Sequence, residues 1–99
     1  MSFYVYILRC RDNSYYTGHT DNLEKRLSEH RIGKYDGYTS TRLPIELVFQ
    51  QSFPSRYEAM TAEIKIKTWG RLKKDALIKN GWDGIIALRK NNKKGFSNE

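Results

Sequence analysis

Ninety-nine residues with a net charge of +7 make one small domain, long enough for a single core without disulfide staples. The only cysteine, Cys10, excludes an internal disulfide and leaves nothing for a thiolate zinc site. No apolar run is long enough to span a membrane and no signal-like segment opens the chain, so a cytoplasmic protein with a polyanionic partner is expected.

The charge is unevenly placed. Residues 1–54 carry seven basic and six acidic side chains, residues 55–99 eleven and five. Hydrophobic content is 38% and aromatic content 13%, with seven tyrosines, so a few strands and amphipathic helices must supply the core.

Phe3 to Cys10 is β-branched and aromatic and apolar on both alternating faces, the pattern of a central strand covered on both sides. Cys10 is expected inside it as a small apolar residue. Arg11 to Ser14 is turn chemistry, and Tyr15 to Thr20 resumes strand character, which gives a hairpin. Period-two alternation groups Tyr4, Tyr6 and Leu8 on one face and Tyr16 with Gly18 on another. The turn register that decides whether the two groups share a face is not legible. Gly18 inside a strand marks a close approach to the backbone.

Asp21, with Glu24 three residues on, resembles a capping arrangement for a helix running to His30, and Gly33 ends it. At about 100° per residue, Arg26 and His30 lie on or beside the stripe set by Leu23 and Leu27. A histidine there is either a packing residue or a proton carrier, and an arginine either an ion-pair partner or a phosphate ligand. Lys34 to Pro44 is a loop whose Lys34, Tyr38 and Arg42 suit phosphates and bases. Ile45 to Phe53 alternates, with Leu47, Phe49 and Phe53 set against Glu46, Gln50 and Ser52, and reads as a third strand.

Ser55 and Glu58 form a capping box for a second helix, with Ala59, Ala62, Ile66 and Gly70 as its inner stripe. Glu63 falls inside that stripe, where a carboxylate is costly unless it is paired, protonated or bound to a metal. Leu72 to Lys79 is a short basic helix ended by Asn80-Gly81. Asp83 to Leu88 forms a last short one, and Trp82, Ile85, Ile86 and Leu88 close the core. The expected layout is one domain over residues 1–89 and a polar, disordered tail over 90–99.

Hydrolysis of a phosphodiester needs an activated water, a cation for the phosphate, a proton for the leaving oxygen and commonly a metal. Tyr6, Tyr16, Arg26, His30 and Glu63 supply that set: phenols to relay protons, a guanidinium for phosphoryl charge, and one glutamate for a hydrated Mg²⁺. No glycine-rich phosphate loop, carboxylate pair or nucleophile elbow competes with it.

In this order the residues resemble the GIY-YIG nuclease domain family, in its short standalone form. Tyr4-Val5-Tyr6 stands where the family has Gly-Ile-Tyr, and Tyr16-Thr17-Gly18 where it has Tyr-Ile-Gly. Arg26, His30 and Glu63 match the arginine, the His/Tyr position and the helix glutamate. The departures are Tyr4 for glycine, which adds bulk beside the site, and Thr17 for isoleucine. The resemblance covers about residues 3–80. It implies an α+β fold, a three-stranded antiparallel sheet flanked by helices in the order β-β-α-β-α-α, and DNA hydrolysis with one Mg²⁺ or Mn²⁺, in DNA repair or processing.

In that scheme Tyr6, Tyr16, Arg26 and His30 are catalytic and Glu63 holds the metal. Lys34, Tyr38, Arg42, Lys67, Arg71, Lys73 and Lys74 are candidates to touch the nucleic acid, DNA first and RNA second. The alternative is a nucleic-acid-binding module of the same fold with little or no turnover. The sequence says nothing of a protein partner.

Overall fold

A computed structural model describes residues 2–34 and 37–97, with side chains as far as Leu88. The elements run β1 (Phe3–Arg9), β2 (Tyr15–Thr20), α1 (Leu23–Arg31), β3 (Glu46–Phe53), α2 (Arg56–Lys67) and α3 (Arg71–Ser97). This is the expected α+β order. The chain divides into two compact units, residues 1–67 and 68–99.

In the first unit the sheet is antiparallel with strand order β2-β1-β3. The doubly apolar β1 is central, and Val5, Tyr6, Ile7 and Leu8 are fully buried. Cys10 is buried too, but it lies one residue beyond the strand. The turn is fixed by Asn13 in the left-handed region at φ 69°, by Cys10 N–H donating to the Ser14 carbonyl at 2.9 Å, and by Asp12 accepting from the Ser14 N–H at 3.0 Å.

That turn sets a register opposing Tyr4 to Thr20, Tyr6 to Gly18 and Leu8 to Tyr16. Directly opposed residues share a face. Tyr4, Tyr6, Leu8, Tyr16 and Gly18 therefore stand together, and Phe3, Val5, Ile7, Thr17 and His19 stand on the reverse. On β3 the expected alternation fails. A bulge moves the pairing from Ile7–Phe49 to Leu8–Leu47, which leaves Val48 as the extra residue. Leu47 consequently joins the Tyr6 face, while Phe49 and Phe53 stand on the other.

Helix α1 covers the Tyr6 face, where Leu27 packs with Tyr6, Leu8, Cys10 and Ile45. Its cap is Asn22 and not Asp21. The Asn22 side chain accepts from the Lys25 N–H at 3.1 Å, while Asp21 pairs with Arg56 at 3.2 Å. Adjacent Asp and Asn carry the same acceptor, so the choice turns on backbone angle, which a sequence does not display. Gly33, at φ 72°, turns the chain out of the helix as expected.

Helix α2 touches all three strands and meets the reverse face through Glu63 and His19. Ser55 caps it, accepting from the Glu58 N–H at 3.2 Å and donating to the Glu58 carboxylate at 2.9 Å. It stops at Lys67, so Gly70 is not part of its stripe.

In the second unit, α3 breaks at Gly81, whose φ of 64° and ψ of −155° interrupt the helix where the Asn80-Gly81 stop was expected. Trp69 and Trp82 meet edge to face, 5.9 Å between centroids. Leu77 and Ile85 are buried, but Ile86 is exposed rather than a core residue, since the helix turns it about 100° away from the buried Ile85. Residues 90–97, expected as disordered tail, continue α3 as far as Ser97. Their side chains, and residues 98 and 99, lie outside the described residues. Among the described residues no helix is long and apolar enough to cross a membrane.

Candidate active site

The register brings Tyr6 and Tyr16 side by side on the α1 face, ring centroids 6.4 Å apart. Gly18 makes room for this. A Cβ at Gly18 would sit 2.6 Å from the Tyr6 hydroxyl and 2.7 Å from its Cζ, so the close approach anticipated there is the Tyr6 ring itself.

One turn after Arg26, α1 turns His30 inward. Its ring is 2% exposed and uses both nitrogens: Nε2 lies 3.1 Å from the Tyr6 hydroxyl and Nδ1 2.9 Å from Thr39 Oγ1. Tyr16 packs edge-on against it at 5.2 Å. The result is a buried line from Tyr6 through His30 to Thr39, flanked by Tyr16.

Burial pushes the Tyr6 phenol above its ordinary value, and neighbouring Tyr16 adds to the rise. The charge of Arg26 and its hydrogen bond to the phenol pull the other way, while the more distant Glu63 carboxylate adds slightly. Burial also holds His30 below the usual imidazole range; the positive charge of Arg26 reinforces this and Glu29 opposes it. His30 is thus a neutral ring at neutral pH, one nitrogen a donor and the other an acceptor.

Glu63 approaches from the other side of the sheet. Its carboxylate is 13% exposed and lies 2.6 Å from Lys67 Nζ, while its other oxygen meets His19 Nδ1 on edge strand β2. Burial by itself raises its pKa. Hydrogen bonds from Lys67 and His19 overcome this and keep the carboxyl ionised below the usual range. The costly position on the inner arc of α2 is therefore answered by pairing. Tyr6, Tyr16, Arg26 and His30 gather on one face and Glu63 on the other, and of the groups that act on the Tyr6 phenol Glu63 acts least.

The donor set suits a hard dication. Mg²⁺ or Mn²⁺ is commonly bound by one or two carboxylates and keeps several waters, and Glu63 is ionised and oriented. Among the described residues no cluster of three or more His, Cys, Asp or Glu exists; an ion at Glu63 would meet one carboxylate whose two oxygens now face Lys67 and His19. The Lys67 ammonium now balances the charge such an ion would bring.

The expected nucleic-acid contacts are engaged more than their charge suggested. Lys34 pairs with Glu29 at 2.9 Å, Arg42 with Asp12 at 3.0 Å, Lys67 with Glu63, and Arg71 with Asp75 at 3.4 Å. Lys73 lies over the Trp69 ring at 4.4 Å, and Lys74 begins α3 half-buried. Tyr38 stacks beside Tyr16. Tyr4, on the same face as Tyr6, has a neighbourhood of its own. It walls a groove of about 470 Å³ with Leu23, Leu27, Leu47 and Gln50, while Arg26 borders a smaller one with Lys25 and Glu29.

Two site residues escaped the sequence reading. His19 was findable, since it follows Gly18 and must face the reverse side of β2, toward a helix carrying a carboxylate. Thr39 gave no signal; a hydroxyl in a polar loop is ordinary.

Comparison with known proteins follows the same outline. The model of the GIY-YIG catalytic domain matches residues 2–75. A UPF0213 protein of Staphylococcus haemolyticus is 51% identical over 75 residues, covering 76% of this chain and 92% of its own length. The solution structure of the UPF0213 protein BH0048 from Bacillus halodurans is 40% identical with a TM-score of 0.54, over 86% of this chain and 94% of that one. The solution structure of EF2693 from E. faecalis is 37% identical with a TM-score of 0.56, over 80% and 84%.

Proposed function

The chain belongs to the GIY-YIG catalytic domain family, a family of nucleases, and from that premise we propose that it is a divalent-metal-dependent endonuclease. It hydrolyses phosphodiester bonds in DNA, in repair or processing, in the cytoplasm.

One observation carries this reading: the buried contact between the Tyr6 hydroxyl and His30 Nε2. In the tautomer where Nδ1–H donates to Thr39, Nε2 carries the lone pair that accepts the Tyr6 proton. A phenol whose pKa is raised is a poor phenolate at neutral pH. Passing its proton to a neutral histidine as it takes one from water avoids forming that phenolate first. Arg26, beside the same phenol, neutralises phosphoryl charge, and Tyr16 donates to the phosphate or positions the water. Glu63 holds the metal, whose chemistry when bound is to polarise the phosphate and stabilise the leaving oxygen.

The test is cleavage of labelled plasmid, duplex, flap and single-stranded DNA in Mg²⁺ or Mn²⁺, by wild type and by Tyr6→Phe, Arg26→Ala and Glu63→Ala. Wild type should cut and each variant should fail. Equal cutting by wild type and Glu63→Ala sinks the reading.

A second reading has its own support. Lys67 already balances the Glu63 charge, which favours a binding module with little or no turnover. It predicts binding that weakens steeply with salt and no metal-dependent cutting of any substrate.

A further inference from the structure

Beyond the buried pair, the α1 face continues outward as a line of rings. Tyr16 is followed by Tyr38, centroids 6.3 Å apart and planes 30° apart, and Tyr38 by the Arg42 guanidinium, 3.9 Å above its ring. Exposure rises along the line, from His30 at 2% to Tyr38 at 41%. At 6.3 Å between centroids Tyr16 and Tyr38 are offset and not face to face, so each leaves part of its ring surface uncovered by the other.

The outer end of this line is held in place. Arg42 Nε donates to Asp12 at 3.0 Å, and its Nη1 donates to the Tyr38 carbonyl at 2.9 Å. The Arg42 carbonyl accepts from the Arg11 N–H at 2.9 Å, which ties the loop to the hairpin turn. Thr39, next to Tyr38, is bonded to His30. An aromatic side chain this exposed, on a loop anchored both to the turn and to the relay, loses little freedom when something stacks on it.

We propose that Tyr38 and Arg42 form a base-stacking platform next to the reacting centre, selecting nucleic acid with an unpaired base beside the cleaved phosphate. The proposal rests on the nuclease reading and narrows its substrate to single strands, flaps or junctions. Bases stack on aromatic rings and on guanidinium planes whatever their identity, so the platform selects for unpairing and not for sequence. In a duplex both faces of a base are already covered by its neighbours, and the platform has nothing to hold. One ring inward lies Tyr16, so a base on Tyr38 brings its own phosphate toward Tyr16, Tyr6 and Arg26.

Binding in EDTA tests this apart from cutting. The probes are a labelled single strand of about 12 nucleotides, within the range one small domain covers, and the same sequence as duplex. Wild type is expected to favour the single strand by about 10-fold. Tyr38→Ala should lose about 5- to 150-fold on the single strand, the usual range for one stacking ring, and leave duplex binding unchanged. Tyr38→Trp should retain the preference. Tyr38→Leu, which keeps the bulk without the π face, should behave as Tyr38→Ala and answers for that variant if it does not fold. Equal loss on both probes, or none on the single strand, overturns the platform and leaves the nuclease reading standing. Failure of wild type to bind either probe at low salt overturns that reading and the platform with it.

Discussion

The two faces of the sheet solve opposite problems with the same strands. On the α1 face, polar groups are sunk into the core: Tyr6 and His30 are almost wholly buried and their functional atoms are satisfied by one another and by Thr39. On the α2 face the buried surface is mainly aliphatic, with Val5, Ile7, Ala59 and Ile66 sealed. Its ionised group, Glu63, sits at the margin with Lys67 and His19. A buried, fully paired network ties chemistry to folding, because a removed partner strands the other. A marginal ion pair leaves the two separable.

The largest effect should come from the α1 face. Tyr6→Phe removes the hydroxyl that touches His30. Cleavage should fall by about 10²- to 10⁴-fold, the usual contribution of a positioned proton carrier. Urea unfolding should show a loss of about 1–3 kcal/mol, because a buried hydrogen bond to His30 Nε2 is removed. Gly18→Ala attacks the same point from the strand opposite. Its new Cβ meets the Tyr6 hydroxyl at 2.6 Å and the ring at 2.7 Å, and a side chain held by His30 in a packed core yields only at a cost of about 1–3 kcal/mol. Activity should fall with stability. Unchanged stability in both variants would erase the contrast between the faces.

Glu63→Gln sharpens the contrast from the other side. Cleavage should be lost along with metal affinity, read by Mn²⁺ titration as well as by turnover. Stability should change by only about 1 kcal/mol or less, since the pair is open to solvent at Lys67. A large loss of stability would make Glu63 as much a core group as His30.

How much of this the sequence displayed follows from the same contrast. Period-two and helical patterns are properties of neighbouring residues, so the three strands, both N-caps' neighbourhoods and the inward turn of His30 were legible. The set of Tyr6, Tyr16, Arg26, His30 and Glu63 was picked out by its order along the chain, and the fold gathers the first four on one face with Glu63 on the other. Register is a property of pairs far apart. The left-handed Asn13 that fixes Tyr6 opposite Gly18 and the bulge that moves Leu47 across the sheet leave no periodic mark. Hence Thr39, placed by loop closure, went unseen, as did the division of the site between two faces, whereas the side of β2 that His19 faces was open to reading from Gly18.

A smaller effect concerns pH. The folded-state pKa of His30 is depressed by burial and by Arg26, with Tyr6 and Tyr16 facing the ring and Glu29 opposing the shift. Its contribution is therefore intact above the ordinary histidine value and is lost as pH falls below it, because the unfolded chain then takes up a proton the folded ring resists. Between pH 7.5 and 5.5, wild type should lose stability with a slope of at most about 1.4 kcal/mol per pH unit from this residue. His30→Gln should flatten that slope.

The smallest effect has the opposite sign and belongs to the α2 face. Thr17, opposite Ile7, is 3% exposed, and its hydroxyl has no hydrogen-bond partner among the described residues. The resembling family has isoleucine there. An unsatisfied buried hydroxyl costs roughly 1–3 kcal/mol, and valine fills nearly the same space without it. Thr17→Val should therefore raise stability by about 1 kcal/mol in urea unfolding and leave cleavage unchanged, since Thr17 faces away from Tyr6. Thr17→Ile adds one more methylene to a sealed region and should gain less, because over-packing offsets the removed hydroxyl. A loss of stability in Thr17→Val would mean that the hydroxyl is satisfied in solution. The α2 face would then hold a polar bond at its centre, and the two faces would differ in degree and not in kind.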